Sequence, residues 1–302
     1  MSRSFARHDV AVPPVAGLAV AVLAVSTSAI LVRWSGAPSI VAAFYRVLFT
    51  TLLLSPVAIW RGRDAFGRLA WRDFAGGALA GIALAVHFAA WFESLEWTSV
   101  AASVTLVQAQ PLFVAAGAPL LLDERVGPRT VAGIVVAVTG IALMSAGELL
   151  GAGVLGPDPI YGNALALVGA LAMAGYVLAG RSIRQRLPLL PYVMVVYAVA
   201  SITLLAFVGL EGAPLAGYQS REWLLFLGMA VGPGVFGHTV INWALAHLES
   251  SVVSASLLGE PVGSTLLALA LLGEVPGLPT VVGGVVVLGG IVLTGRARRR
   301  GG

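Results

Sequence analysis

The sequence predicts an all-α polytopic membrane protein, with ten transmembrane helices arranged as two inverted five-helix repeats. Three observations predict it. Of the 302 residues, 58% are hydrophobic and 11% charged, against about 45–50% apolar and about 25% charged in a soluble domain. Apolar stretches of near-constant length recur along the whole chain. The chain also matches itself at an offset near 150 residues.

The expected spans are Val15–Val32, Ile40–Trp60, Phe74–Ser94, Val100–Leu122, Thr130–Gly147, Tyr161–Gly180, Pro191–Leu210, Trp223–Leu245, Val252–Leu272 and Leu278–Thr294. Each is near 20 residues, enough at about 1.5 Å per residue to cross a hydrocarbon core of about 30 Å. The stretches are Leu/Ala-rich rather than alternating, which argues against membrane strands. Connections are short. The longest, such as Arg61–Arg72 and Glu211–Glu222, hold about a dozen residues, so no ATPase domain is inserted, and no GxxxxGK[ST] phosphate loop is present. Arg3 and Arg7 before the first apolar run resemble a secretory signal, but the run is as long as the others and the repeat requires it.

Orientation follows from the arginines, since the chain has no lysine. With ten spans and the amino terminus inside, fifteen arginines fall on inner segments and two, Arg33 and Arg221, on outer ones. Both termini are therefore expected in the cytoplasm. The RARRR tail (Arg296–Arg300) reads as an anchor beside anionic lipid. The net charge is +4, with no basic stripe interleaved with aromatics, so no nucleic-acid partner is expected. Cysteine is absent, which excludes disulfides, thiolate catalysis and cysteine metal sites. No metal and no cofactor are expected.

The repeat aligns QPLFVAAGAPLLLDE (Gln110–Glu124) with EPVGSTLLALALLGE (Glu260–Glu274). Beyond it, Gly127, Thr130, Val131, Gly133, Val135, Val136, Gly140 and Ile141 recur as Gly277, Thr280, Val281, Gly283, Val285, Val286, Gly290 and Ile291. Upstream the offset is 151, matching Gly77, Gly81 and His87 with Gly228, Gly232 and His238. Residues 1–150 and 151–302 are then two five-helix repeats of one membrane domain. Because five is odd, the second enters from the opposite side, a recurring construction of secondary transporters.

With these residues and the AAFYRVLF stretch (Ala42–Phe49), the chain resembles EamA-type members of the drug/metabolite transporter superfamily, over nearly its whole length. The resemblance implies a ten-helix carrier of the bacterial inner membrane that exports small metabolites, often amino acids, and within the family the chain looks similar to exporters of aromatic and other amino acids. The partners implied are a small-molecule substrate and the lipid bilayer. A homodimer stays open, with a monomer sufficient for transport. The residue before the repeated proline is acidic in the second half (Glu260) and an amide in the first (Gln110), so two equivalent acidic sites are not implied.

Intramembrane polar groups require a role or a partner. Glu260 precedes Pro261, whose missing N–H kinks the helix and frees a carbonyl. It reads either as a group holding an amine or proton, or as a structural carboxylate bonded to His238 or to backbone donors. Gln110 and Pro111 occupy the matching place, with Thr105 and Gln108 adding polarity or helix packing. His87 and Trp91 share a helix face, with Ser94 one turn on, and His238 and Asn242 repeat the spacing with Trp243 alongside. These point to a cavity that binds solute by hydrogen bonding and stacking, or to interior histidines and a tryptophan in an interfacial belt. Tyr176 and the Ser26–Ser28 run are further lining candidates. Arg46, inside the second span, is expected to pair with Glu93, the alternative being a substrate carboxylate. Gly77/Gly81 and Gly228/Gly232 allow close helix approach. Glu124 and Glu274 stand at span ends, as gates or as solvated charges.

The reading is a secondary or facilitative exporter of small metabolites, amino acids first, and not an enzyme. An intramembrane enzyme is disfavoured because DDxxD, HExxH and GxSxG motifs are all missing. A channel or a scaffold without transport remains as the other alternative.

Overall fold

The computed structural model describes residues 12–67, 69–98, 103, 106–150, 157–272 and 278–299, and every regular element among them is a helix. These are α1 (Pro14–Trp34), α2 (Ser39–Phe66), α3 (Trp71–Trp97), α4 (Gln110–Leu121), α5 (Pro128–Leu150), α6 (Pro159–Arg184), α7 (Leu189–Glu211), α8 (Ser220–Ala244), α9 (Ser250–Leu257), α10 (Glu260–Leu272) and α11 (Leu278–Arg299). Local chemistry sets several of the ends. Asp158 caps α6 by accepting from Tyr161 N at 3.1 Å, with Pro159 in the first turn where no N–H is needed. Gly212 closes α7 at φ +66, which lets Ala213 N bond back to Val208 O.

Seven helical segments are long and apolar enough to cross a membrane: Pro14–Val32, Ser39–Gly62, Trp71–Ser94, Ile160–Arg184, Leu189–Glu211, Ser220–Ala244 and Ser250–Leu271. Three shorter apolar segments, Gln110–Leu121, Pro128–Leu143 and Val281–Thr294, overlap the fourth, fifth and tenth expected spans. The fourth is shorter than expected for a physical reason: a turn at Gln108–Ala109 precedes Gln110 and Pro111. A matching turn at Leu258–Gly259 separates α9 from α10, ahead of Glu260 and Pro261. The carbonyls of Val107 and Leu257, four residues before each proline, lose the helical donor they would otherwise have. Residues 100–102, Val104 and Thr105 of the fourth expected span lie outside the described residues, as do Glu274 and the side chains of Arg296–Arg300.

The surface is inverted relative to a water-soluble protein. Leu120, Ile160 and Leu210 are more than four-fifths exposed, whereas Arg46, Gln110 and Asn242 are buried. Lipid is the solvent that fits such a surface.

Packing runs chiefly between the first five expected spans and the last five. Helices α3 and α6 are antiparallel: Arg186, just past α6, bonds Asp73 at 2.7 Å at one end, and Asp158 N donates to Trp97 O at the other. Helices α1 and α8 repeat this, with Ser35 Oγ on Glu222 at 2.6 Å at one end and Gly17 against Trp243 at the other. Helices α5 and α11 are also antiparallel, Gly133 facing Gly290 and Gly140 facing Gly283. These approaches are so close that a Cβ on Gly140 would stand 2.8 Å from Gly283 O. The glycines of α3 act likewise: a Cβ on Gly81 would lie 2.5 Å from Val196 O of α7. Without a hydrophobic drive between helices in lipid, such backbone contact and interhelical hydrogen bonds do the holding.

One departure from the repeat is conspicuous. Helix α8 is π-wound from Ala230 to Thr239, around Pro233, while α3 stays α-helical through the matching His87. Insertions of this kind relieve a proline in mid-helix and accompany functional sites.

Candidate functional site

The broken helices and the π-wound segment face one internal cavity. Its walls are Val25 and Ser28 of α1, Arg46 of α2, His87, Phe88 and Trp91 of α3, and Val107, Gln108 and Gln110 around the turn before α4. Met173 of α6, His238 and Ile241 of α8, Leu257 of α9 and Glu260 of α10 complete it. The space open to water is about 40 Å³, room for a few ordered molecules at roughly 10–15 Å³ each. A larger solute requires the walls to part.

Arg46 is held from two sides. Its Nη1 donates to Ser28 Oγ at 3.0 Å, and its guanidinium carbon lies 4.4 Å over the Phe88 ring, an arrangement suited to a planar cation. Glu260 is held by its backbone, whose carbonyl accepts from Ser26 Oγ at 3.1 Å, while its carboxylate accepts from Gln108 Nε2 at 3.3 Å. The cavity thus carries a guanidinium on one wall and a carboxyl group on another. Among the described residues, no ion pair within 4 Å joins them.

The neutral groups are equally placed. His87 Nδ1 lies 2.9 Å from Gly169 O; a carbonyl can only accept, so Nδ1 donates and Nε2 is left as the acceptor of the neutral ring. Its ring stacks with Trp91 at 5.9 Å, and His238 stands edge-on to Phe88 at 5.3 Å. Gln110 Nε2 donates to Ser254 O at 3.3 Å. Three buried polar atoms of the cavity residues have no protein partner: Trp91 Nε1, Gln110 Oε1 and His238 Nδ1.

The structure therefore brings together His87, Trp91, Gln108, Gln110, His238 and Glu260. Ser28 of the Ser26–Ser28 run joins them, whereas Tyr176, Asn242 and Trp243 are not on the cavity walls. Asn242 lies one turn beyond His238, where its Nδ2 donates to Tyr176 OH at 2.5 Å and to His238 O at 2.9 Å. Asn242 and Tyr176 thus form a polar floor with Tyr197 and Thr239, not the cavity wall. Trp243 turns to α1 and His247 instead. Glu260 and His238 share the cavity without bonding each other. The expected Arg46–Glu93 pair is not formed. Glu93 accepts from Trp97 Nε1 at 2.6 Å and faces a separate crevice with Phe207 and Glu211. Six residues at about 100° each put it on a different face of α3 from His87. Phe88, under Arg46, was not anticipated; nothing in its sequence context separates it from other apolar residues of the span.

Both ends of the bundle are clasped by carboxylates. At one end Glu124 accepts from Arg181 Nε at 2.5 Å and from Ser250 N and Oγ at 3.1 and 2.7 Å. At the other, Glu222 accepts from Ser35 Oγ at 2.6 Å and Gly36 N at 3.0 Å. Each clasp joins one expected repeat to the other.

Comparison with known proteins gives this architecture a family. The model of the EamA-like transporter family matches twice, over residues 13–146 and 160–296. The chain belongs to the EamA-like transporter family. Similar proteins include an uncharacterized transporter of Archaeoglobus fulgidus, 26% identical over 83% of this chain and 86% of its own. Another is a probable terminal-alkyne amino-acid exporter of Streptantibioticus cattleyicolor, 29% identical over 76% of each. A solved crystal structure shares the fold with a TM-score of 0.77 and 22% identity, over 95% of this chain and 98% of that one. With its apolar helices, this EamA-like protein is a multi-pass membrane protein whose general function is transport of a small molecule across lipid.

Proposed function

We propose that this EamA-like protein is a ten-span carrier of two inverted five-helix repeats, residues 1–150 and 151–302, which exports small metabolites, amino acids first, by alternating access. Support for ten spans comes from the three shorter apolar helices, which overlap the fourth, fifth and tenth expected spans. Fifteen arginines on one side against two on the other favour cytoplasmic termini in an inner membrane. The double family match supports the duplication.

The observation that carries the transport reading is the central cavity. Both halves line it with repeat-related pairs, His87 with His238 and Gln110 with Glu260. Two similar halves around one site open to either face at nearly equal energy, which is what alternating access needs. The amino-acid cargo and the outward direction take support from the probable amino-acid exporter among the relatives. One copy of the chain holds the whole cavity, so a monomer suffices. A channel is disfavoured because two repeats lining one central cavity are the construction of carriers.

Purified protein in proteoliposomes, assayed by counterflow with labelled amino acids, tests the proposal. Saturable counterflow of at least one amino acid is expected. Flux that rises linearly with concentration, or no counterflow of any amino acid in the panel, would overturn it.

A further inference from the structure

We infer that Arg46 and Glu260 together act as a charge filter, selecting a solute that carries one positive and one negative group and no net charge. The inference rests on the carrier reading above and goes beyond it by naming the electrical form of the cargo and the residues that read it. In this assignment the solute carboxylate lies on the Arg46 guanidinium and its ammonium on the Glu260 carboxylate. An uncharged apolar side chain lies among Val25, Met173, Ile241 and Leu257.

The two fixed charges face the same cavity without an ion pair between them. Opposite charges left apart in a low-dielectric interior are costly, and direct pairing would be the ordinary remedy. Here Ser28 and Phe88 pin Arg46 on one wall, while Ser26 and Gln108 pin Glu260 on another. Of the guanidinium donors only Nη1 has a protein hydrogen bond among the described residues, which leaves donors for a carboxylate. Gln110 Oε1, an unpartnered buried acceptor, is suited to an ammonium, and Trp91 Nε1, an unpartnered buried donor, to a carboxylate. A dipolar solute satisfies every one of these groups. A free amine or a free acid satisfies half of them and leaves one buried charge uncompensated.

Electrical balance follows. The empty cavity holds one cation and one anion, and a net-neutral solute leaves that sum unchanged. The loaded and empty carriers therefore cross the membrane field with the same charge in the site.

The test uses leucine, its decarboxylated amine (isoamylamine) and N-acetylleucine as probes. Affinity is read from ligand-induced stabilisation of the purified, detergent-solubilised protein, independently of flux. The wild type is expected to bind leucine about a hundredfold more tightly than either analogue, the scale of losing one charge-assisted contact and stranding its partner. Arg46→Gln should bring leucine down to the level of isoamylamine and leave isoamylamine within about threefold of its wild-type affinity. Glu260→Gln should do the same for N-acetylleucine. If either single variant fails to fold with one charge unbalanced, the neutral double variant Arg46→Gln/Glu260→Gln serves, and it should bind all three probes with similar weak affinity. Equal wild-type affinity for leucine and its analogues overturns the inference, as does a loss on Arg46→Gln that is the same for leucine and isoamylamine. Counterflow separates the two levels. Counterflow of leucine without discrimination among the probes sinks the filter and spares the carrier, whereas absence of any amino-acid counterflow sinks the carrier itself.

Discussion

A close backbone contact between the two expected repeats gives the sharpest quantitative prediction. Gly290 of α11 faces the backbone of α5, and a Cβ placed on it would stand 2.5 Å from Ala137 N and 2.6 Å from Gly133 O. Ordinary contact begins near 3.4 Å, so Gly290→Ala requires the helices to part by about 0.9 Å along that line. Backbone atoms on a helix cannot rotate aside as a side chain can. A gap of about 0.5–1 Å forfeits a quarter to a half of each affected contact, and overpacking of this kind costs about 1–3 kcal/mol. Alanine's better helix propensity returns at most about 1 kcal/mol. The net expectation is a loss of about 0–2 kcal/mol for Gly290→Ala once the full propensity gain is subtracted. Gly175→Ala on α6, where nothing lies within 4 Å of the added methyl, should be neutral or stabilising by up to about 1 kcal/mol. Reversible unfolding of both variants in mixed micelles, compared at one detergent composition, supplies the numbers. If Gly290→Ala proves as stable as Gly175→Ala, the backbone seam between α5 and α11 is not as described.

Three further expectations concern the site and its ends. Glu124→Gln removes the charge that Arg181 and Ser250 share and should destabilise by about 1.5–3 kcal/mol, measured by the same unfolding assay; an unchanged midpoint would mean the clasp is open in solution. His87→Ala, which deletes the ring between Gly169 and Trp91, should lower counterflow by about tenfold or more with a smaller effect on stability. Normal flux in the folded variant would remove His87 from the transport site. Asn242→Leu strands Tyr176 OH and the His238 carbonyl and should cost about 1–3 kcal/mol, again read from unfolding, whereas a neutral result would show that ordered water replaces the amide.

Much of the architecture was legible because lipid imposes so few options. Runs near 20 apolar residues have to be helices, and the repeated Pro111 and Pro261 announced the two helix breaks. His87, Gln110, His238 and Glu260 were found because a polar group at mid-depth needs a reason to be there. What depth could not convey was azimuth. Arg46 and Glu93 lie at comparable depth, yet Glu93 turns to Trp97 and Arg46 to Phe88. Asn242 and Tyr176 were read as cavity wall because both are polar and central, while their mutual hydrogen bond takes them out of reach of solute. The π-wound stretch of α8 had a local signal in Gly232-Pro233-Gly234, but that signal does not say whether a helix kinks, breaks or widens. Phe88 shows the remaining limit: an apolar residue becomes functional only through the cation resting on it.

The cross-repeat packing also bears on how the protein is made. The partners of α1, α3 and α5 are chiefly α8, α6, α7 and α11, which leave the ribosome much later. At about 5–20 residues per second, the 150 or so residues separating Gly133 from Gly290 take roughly ten to thirty seconds to synthesise. During that interval the glycine faces of α3 and α5 meet only lipid or insertion machinery, and Arg46 has no Glu260 across from it. A chain that stops after α5 thus presents the cell with unmatched polar and glycine surfaces, α1–α5 awaiting the later helices that cover them.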